Sequence, residues 1–505
     1  MGDSVSGAAF AILGFGVHVA KRLKRLDSLQ NSRSKHVHFT GVGGIGMSGL
    51  AEILINLGYA VSGSDLEHSD IVERLETYGL TFYEGHEAKH VDGADIVVIS
   101  AAVPEDNVEV LAATEHGIPI LHRSQLLADL LRMKPHAVVV GGSHGKTTTT
   151  SMVSAVLEQA NIGATSIIGG ILHRSGTNAR WGTGDYIVAE ADEHDGSFLR
   201  LHPTIGVVTN IDAEHMEYYG TLDNLKRAFL EFCNGIPFYG YAVVCLDSDN
   251  VRAIVDEITS ETMSYGLAEG VSVRAVDVRL GNRDESKAMT SQIDTLTTCF
   301  DVVCSDERLG VSGKLGSIEL RALGENNVRN ALAACTVGLC LGLPFGIIVD
   351  GLRHFDGVRR RLQVRGEMNG ITVVEDYAHH PTEIASTLEA IRWTDPGRVV
   401  VVFQPHLYSR TKFFAEEFAE VLLDVDCAIV TDIYPSREEP MPGVDSGLIV
   451  NRARERGGLH VELVSDKDDV VAQLVPQLTP GDVVLILGAG DINQIVEPLL
   501  AEIAG

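Results

Sequence analysis

The chain has 505 residues, 45% of them hydrophobic and 22% charged, with a formal net charge of −29. A chain of this size supports two to four soluble domains. Its acidity argues against a nucleic-acid partner and means that any anionic ligand needs a local cationic site. The seven cysteines form no CxxC pair; even Cys299 and Cys304 fit neither a zinc site nor a redox pair. Free thiols in a reducing cytoplasm are expected.

No run is long enough to span a bilayer. Residues 1–34 read as an extension of unknown role. Gly7–Ala20 is nearly all apolar, but the basic Lys21–Arg25 follows it, the reverse of a signal peptide. Gly2 and Ser6 fit a loose myristoylation pattern that nothing else supports. From His36 a short β-branched run enters Gly41–Gly49, followed by a helical pattern through Leu50, Ile53, Leu54 and Leu57. A second strand, Ala60–Ser64, ends at Asp65, completing a βαβ unit. Ile96–Ser100 and Ile118–Leu121 add strands, giving a first domain over 35–132.

Pro135 marks a boundary. The strand Ala137–Val140 feeds GGSHGKTTTT and then a helix, Ser151–Gln159. Strands recur at Tyr186–Ala189, Ile205–Thr209 and Ala242–Leu246. A polar stretch near 265–320 reads as antiparallel hairpins, and Asn327–Leu341 as a helix. The second domain covers 133–357. The third, 358–505, alternates strands Ile371–Glu375, Arg398–Phe403, Cys427–Thr431 and Val483–Leu487 with helices. The predicted class is α/β: three consecutive domains with mostly parallel sheets, Rossmann-like, phosphate-loop ATPase-like and dinucleotide-fold-like in turn, with sites at strand C-termini.

Gly141–Thr150 is a shortened phosphate loop, with Val140 where G-x-x-x-x-G-K-[ST] has its first glycine. A tight glycine loop between strand and helix presents backbone N–H groups to an anion. Gly142, Ser143, His144, Gly145 and Thr148 belong to this candidate ATP site; Lys146 would neutralise phosphates and Thr147 would offer its hydroxyl to Mg2+. The acidic run Glu190–Asp195 follows the next strand, and Glu190 is favoured as a Mg2+ ligand. His215, after a third strand, is a candidate for metal or for the transferring phosphoryl group. Gly41–Gly49 matches a dinucleotide fingerprint, with Asp65 near the usual acidic position. That pattern fits NAD or the diphosphate of a UDP-sugar equally. In the third domain, Glu375–Pro381 and Phe403–Thr411 each follow a strand. They gather His379, His380, His406 and Arg410 as base, donors and carboxylate clamp.

These motifs, together with GENNVRNALAA, FDGVRRRL, TDIYPSREEPMPG and GAGDI, occur in an order that resembles the Mur ligases, from about His36 to Ile495. The resemblance implies three domains that bind a UDP-sugar, ATP and an incoming amine. It implies that ATP phosphorylates the lactyl carboxylate of UDP-N-acetylmuramate and that L-alanine attacks the acyl phosphate. It places Lys146 and Thr147 on phosphates and metal, Glu190 and His215 on a second Mg2+, and Asp376 with Asn327 and Arg360 at the nucleotide. It also puts Tyr377, His379, His406 and Arg410 around the amino acid. Gly41, Gly43, Gly44, Ile45, Gly46, Met47, Ser48, Asp65 and Ser100 fall to the UDP-sugar. Catalytic roles fall to Lys146, Glu190, His215, His379, His380 and Arg410. A cytoplasmic monomer or homodimer, with no membrane insertion and no nucleic acid, is expected.

Two positions depart from the family pattern: Asn326 stands where a histidine is usual, and Ser436-Arg437 where Ala-Gly precedes Glu438. The alternatives are a ligase that recycles a tripeptide onto the same sugar nucleotide and an NAD-binding oxidoreductase.

Overall fold

A computed structural model describes residues 35–173, 176–282, 291, 293–436 and 438–505. The expected N-terminal extension and Arg437 lie outside the described residues. The chain divides into two compact units, Met1–Leu130 with Asn178–Trp181, and Leu131–Thr177 with Gly182–Gly505.

In the first unit, β1 (His36–Thr40), β2 (Ala60–Asp65), β3 (Thr81–Glu84), β4 (Ile96–Ile99) and β5 (Ile120–His122) form a sheet of order β3-β2-β1-β4-β5. Every pairing is parallel. The strand order reverses at β1, so the crevice beyond its C-terminal end is where an α/β sheet takes a ligand. The Gly41–Gly44 turn and the helix Ile45–Asn56 leave from that end.

The second unit carries two sheets. The first begins with β6 (His136–Gly141) and β7 (Thr165–Ile167); β8 (Ala179–Arg180) lies in the segment grouped with the first unit. It continues through β9 (Tyr186–Glu190), β10 (Ile205–Val208), β11 (Tyr241–Cys245), β12 (Thr262–Gly266), β13 (Val273–Asn282), β14 (Leu296–Cys304) and β15 (Gly313–Leu320). Its order runs β15-β14-β13-β12-β11-β10-β6-β9-β7. Strands β13 to β15 are antiparallel, as the polar stretch predicts, and the others pair in parallel. The small residues Ala331, Ala333 and Ala334 let the helix Glu325–Cys340 sit closely against the helix Lys146–Gln159, both in one core.

The last sheet contains β16 (Gln363–Met368), β17 (Ile371–Asp376), β18 (Arg398–Phe403), β19 (Cys427–Val430), β20 (Val461–Leu463) and β21 (Asp482–Leu487), in the order β16-β17-β21-β18-β19-β20. Only β16 runs antiparallel. Its central strands are continuous apolar runs because both faces are covered. Val399, Val401 and Phe403 enter one core and Val400 and Val402 the other, the period of two that a strand imposes.

The α/β class with mostly parallel sheets is therefore what the chain adopts. The helix expected at Ser151–Gln159 starts earlier, at Lys146, directly on the glycine loop. All seven cysteines are free, and among the described residues no helix is long and apolar enough to cross a membrane.

Candidate active site

Strand β6 lies between β9 and β10, with Val140 opposite Glu190 and Gly141 opposite Val208. The phosphate loop, the acidic run and the Thr209–His215 segment thus leave three adjacent strands at the same end. The loop fits only glycine at two points. Gly142 has φ +125°, and a Cβ there would stand 2.1 Å from Thr209 Oγ1. Gly145 has φ +80°, and a Cβ would stand 2.5 Å from Asn330 Oδ1. The loop backbone is fixed by the β10 exit. Ser143 N donates to Asn210 O at 3.0 Å, His144 N to Asn210 Oδ1 at 2.9 Å, and Thr209 Oγ1 to His144 O at 2.6 Å.

Lys146 Nζ folds back onto this loop, donating to Gly142 O at 2.7 Å, Ser143 O at 3.0 Å and Glu193 Oε1 at 2.9 Å. Burial disfavours its charge, but Glu193, Asp192 and Glu190 outweigh that and raise its pKa. Burial pushes the Glu193 carboxyl up, with Lys146 counteracting. Thr147 Oγ1 donates to Glu190 Oε1 at 3.1 Å, and Gly169 N to Glu190 Oε2 at 2.9 Å. The structure thus joins Glu190 to Thr147. It brings His215 instead to Glu214 (3.5 Å) and Glu193 (3.8 Å). His215 has φ +57° and caps the short helix Met216–Tyr219. Burial opposes protonation there, but Glu217, Glu193 and Glu214 raise its pKa.

The third-domain histidines meet the phosphate loop. His144 Nε2 is 3.2 Å from Asp212 Oδ2 and its Nδ1 3.4 Å from Glu383 Oε1. Burial works against the imidazolium, yet these two carboxylates lift its pKa to about 10. Thr382 Oγ1 donates to the same Asp212 oxygen at 2.7 Å. Pro381 opens the helix Pro381–Arg392 at a position where the missing N–H costs nothing. His380 precedes it as the cap, only 2% exposed, with Nε2 lacking a hydrogen bond and 4.0 Å from Glu214 Oε1. His379 accepts no charge easily either: burial, aided by Arg410, depresses its pKa to about 4, and burial does the same for His380. Glu383 accepts from His379 N at 3.0 Å. Arg410 reaches Glu214 Oε2 at 3.2 Å and His406 Nδ1 at 3.2 Å. Burial would raise Glu214, but Arg410 and the surrounding histidines hold it at about 2.

A cavity of about 760 Å3 opens beside these groups, lined by His144, Gly145, Thr148, Asn326, Asn327, Arg361 and Asp376 among others. Asp376 accepts from Leu362 N and Ala378 N, both at 2.8 Å, while burial raises its carboxyl to about 6. Asn327 Nδ2 donates to Leu323 O at 2.8 Å. Asn326, at the departure position, contacts Ser386 and accepts from Arg329 at 3.1 Å. Arg360 is turned to Gly488 O (2.7 Å) and Gly490 O (3.0 Å), away from this lining, and stacks over Tyr377 with its carbon 4.8 Å from the ring centre. Ser436, where the second departure begins, has φ +53°. Its neighbour Glu438 accepts from Ser409 N at 2.9 Å, steadying the helix that presents Arg410.

In the first unit, Asp65 Oδ2 accepts from Gly43 N at 2.8 Å, so the carboxylate holds the glycine turn. Gly41 N donates to Ser64 O at 2.8 Å. Gly44 caps the helix that carries Ile45, Gly46, Met47 and Ser48, and Ser100 Oγ accepts from Ala102 N at 3.3 Å. Asn178 Nδ2, absent from the sequence expectations, donates to Ile45 O at 2.5 Å. Glu193, Asp212, Glu214, Arg361 and Glu383 were likewise not singled out, although each lies inside or beside a motif that was.

A phosphate loop fused to acidic strand ends and closed by a histidine-bearing dinucleotide-like sheet defines an ATP-dependent ligase of the amide-forming kind. The chain belongs to the Mur ligase family: the family's catalytic domain matches residues 36–135, its middle domain 140–338 and its glutamate ligase domain 360–490. It is 48% identical over 467 residues to the UDP-N-acetylmuramate–L-alanine ligase of Geobacter sp. (strain M21), covering 92% of this chain and 97% of that one. It is 47% identical over 479 residues to the ligase of the same name from Myxococcus xanthus, covering 95% and 97%. The crystal structure of the UDP-N-acetylmuramate-alanine ligase from Thermotoga maritima superposes with a TM-score of 0.76 at 25% identity, covering 92% of this chain and 98% of that one.

Proposed function

We propose that the chain joins L-alanine to the lactyl carboxylate of UDP-N-acetylmuramate at the expense of ATP, a cytoplasmic step of peptidoglycan precursor synthesis. The observation that carries this reading is the meeting of His379, His380 and Arg410 with the phosphate loop through His144 and Glu214, in a chain whose relatives carry that name. The working division is 35–132 for the UDP-sugar, 133–357 for ATP and 358–505 for the amine.

A carboxylate is a poor electrophile. Its oxygen attacks the γ-phosphorus, the bond to ADP breaks, and an acyl phosphate forms. The alanine nitrogen then attacks the acyl carbon, loses a proton, and phosphate leaves with the C–O bonding pair. Lys146 and the backbone N–H groups of Gly142–Thr148 hold the phosphates. His144, cationic at neutral pH, adds a second positive charge beside them. Thr147 and Glu190 supply hard oxygen donors 3.1 Å apart, which fit Mg2+, and His215 would serve the second ion. Mg2+ supplies charge neutralisation on the phosphates when bound. Arg410 and His406 clamp the amino-acid carboxylate, with Tyr377 beside them. His380 is neutral with Nδ1 accepting from Thr382 N at 3.3 Å, so its buried Nε2 carries the ring proton and is a donor facing the reacting groups. Asp376 and Asn327, in the lining of the cavity, face the nucleotide, whereas Arg360 lies outside that lining and stacks on Tyr377. In the first domain, Gly41–Ser48, Asp65 and Ser100 cradle the UDP-diphosphate at a helix N-terminus.

The test is phosphate release from ATP and UDP-N-acetylmuramate against a panel of amines. L-Alanine is the expected substrate. Glycine and L-serine differ by one methyl or hydroxyl, a discrimination of about 1–3 kcal/mol. Release with a tripeptide and none with L-alanine overturns the reading. The oxidoreductase alternative leaves Lys146 and the acidic strand ends without a task.

A further inference from the structure

A buried carboxylate beneath the sheet of the first unit has no part in the proposed chemistry. Glu109 stands in the first turn of the helix Val108–Glu115 and is fully buried. His38 and Thr40 of β1 share one face of the sheet with Ser62 and Ser64 of β2, because alternate residues of a strand point the same way. The register sets His38 beside Ser62 and Thr40 beside Ser64. On this face Thr40 Oγ1 donates to Glu109 Oε2 at 2.8 Å, and Ser64 Oγ to the same oxygen at 2.7 Å. His38 Nε2 lies 3.2 Å from Oε2, and His90 Nδ1 2.9 Å from Oε1.

Burial would raise this carboxyl, but His38, Ser64 and Thr40 hold it at about 2. An ionised carboxylate only accepts hydrogen bonds, so the protons of both hydroxyls are committed to it. A neutral His38 then carries its proton on Nε2 and accepts at Nδ1 from Ser62 Oγ, 2.8 Å away. Ser64 Oγ, its own proton given to Glu109, accepts from His86 Nδ1 at 3.0 Å.

The two hydroxyl residues flank the glycine turn. Thr40 immediately precedes Gly41. Ser64 O accepts from Gly41 N at 2.8 Å and from Val42 N at 3.0 Å, and the next residue, Asp65, accepts from Gly43 N at 2.8 Å. Consecutive turn amides are therefore held by the end of β2, which is held in turn by Glu109. The carboxylate is itself anchored, since Asn107 Oδ1 accepts from Glu109 N at 2.9 Å. Asn107 closes the loop that leaves β4 and carries Ser100 and Val103. Val103 packs on the turn, its Cγ2 3.8 Å from the place of a Cβ on Gly41.

We infer that Glu109 is a positioning residue for the sugar nucleotide. It ties the C-terminal ends of β1 and β2 and the loop after β4 into one rim, so the glycine turn meets the UDP diphosphate already in its binding conformation. A side chain that touches no substrate thereby sets the affinity for one of them. The inference rests on the reading of the first domain as the UDP-sugar site.

The test is steady-state phosphate release by the full-length protein, with KM read for each substrate. Glu109→Gln is expected to raise the KM for UDP-N-acetylmuramate by about tenfold, the effect of one lost charged hydrogen bond. The KM values for ATP and L-alanine, and kcat, should stay within about twofold. Ser64→Ala, which keeps the carboxylate, moves the same constant in the same direction. Both changes together cost no more than Glu109→Gln by itself, because they act through one bond. An unchanged KM for the sugar nucleotide, or a fall in kcat with all KM values unchanged, overturns the inference; should Glu109→Gln not fold, Ser64→Ala decides alone. A parent protein that releases no phosphate with UDP-N-acetylmuramate overturns instead the reading of the first domain.

Discussion

Replacing Glu383 by Gln removes one charge from the pair of carboxylates that hold His144 between them while keeping the shape of the side chain. A His144 pKa near 10 instead of 6.5 corresponds to roughly 5 kcal/mol of preference for the imidazolium, at about 1.36 kcal/mol per pH unit. Asp212 and Glu383 contact opposite ring nitrogens at 3.2 and 3.4 Å, and since burial opposes them, loss of either removes at least about half of the net preference. The variant should then show His144 titrating near pH 8. Because the folded pKa is raised, the associated stability is fully present below about pH 6.5 and is lost as pH rises through the folded pKa. At pH 7 the variant is expected to be less stable by roughly 2–3 kcal/mol, with the deficit closing above pH 10. Imidazole NMR titration, assigned with a His144→Gln control, reads the pKa, and denaturant unfolding at pH 7 and above 10 reads the linkage. A His144 that titrates near 6.5 in the parent, or does not move in Glu383→Gln, refutes the reasoning.

Gly142→Ala should abolish nucleotide protection in a thermal-shift assay and cost about 1–3 kcal/mol, since its φ of +125° and the Thr209 hydroxyl leave no space for a methyl. Arg410→Lys should raise the KM for L-alanine by about tenfold or more and leave that for ATP unchanged, because an ammonium cannot reach Glu214, His406 and a carboxylate together; steady-state kinetics in both substrates distinguish this from general damage. With His379 and His380 held near pKa 4, the fold excludes their protonated forms, so stability falls as pH drops from 6.5 toward 4. A kcat/KM profile flat between pH 6 and 8 as regards these groups is expected, and an apparent pKa near 6.5 that disappears in His379→Asn would count against it.

The phosphate loop was legible because its spacing is dictated by chemistry: two glycines at positive φ where a Cβ would collide with Thr209 and Asn330, then lysine and threonine at a helix start. The acidic run was legible as a group but not residue by residue. Glu190 and Glu193 differ in sequence by three positions, and only the turn closed by Gly196 N on Glu193 O sends one to Thr147 and the other to Lys146. Glu383 carried a readable signal, since Pro at the first helical position and Glu two residues later is a helix-start pattern, but its tie to His144 crosses two domains. Asn178 had no local signal at all, because its partner Ile45 is 133 residues away. Among the strands, β7 and β20 are three residues each, too short for a period of two to declare itself.

The posture of Lys146 has a consequence for what leaves the site as well as for what enters. Its ammonium is satisfied by two loop carbonyls and Glu193, so an incoming anion has to exchange with ligands the protein already provides. Only a polyanion that also engages the loop amides gains enough to complete that exchange. On the proposed function, a small anion such as free phosphate would gain little from that exchange, and Glu193 would serve as the counter-ion of Lys146 whenever the phosphates are absent.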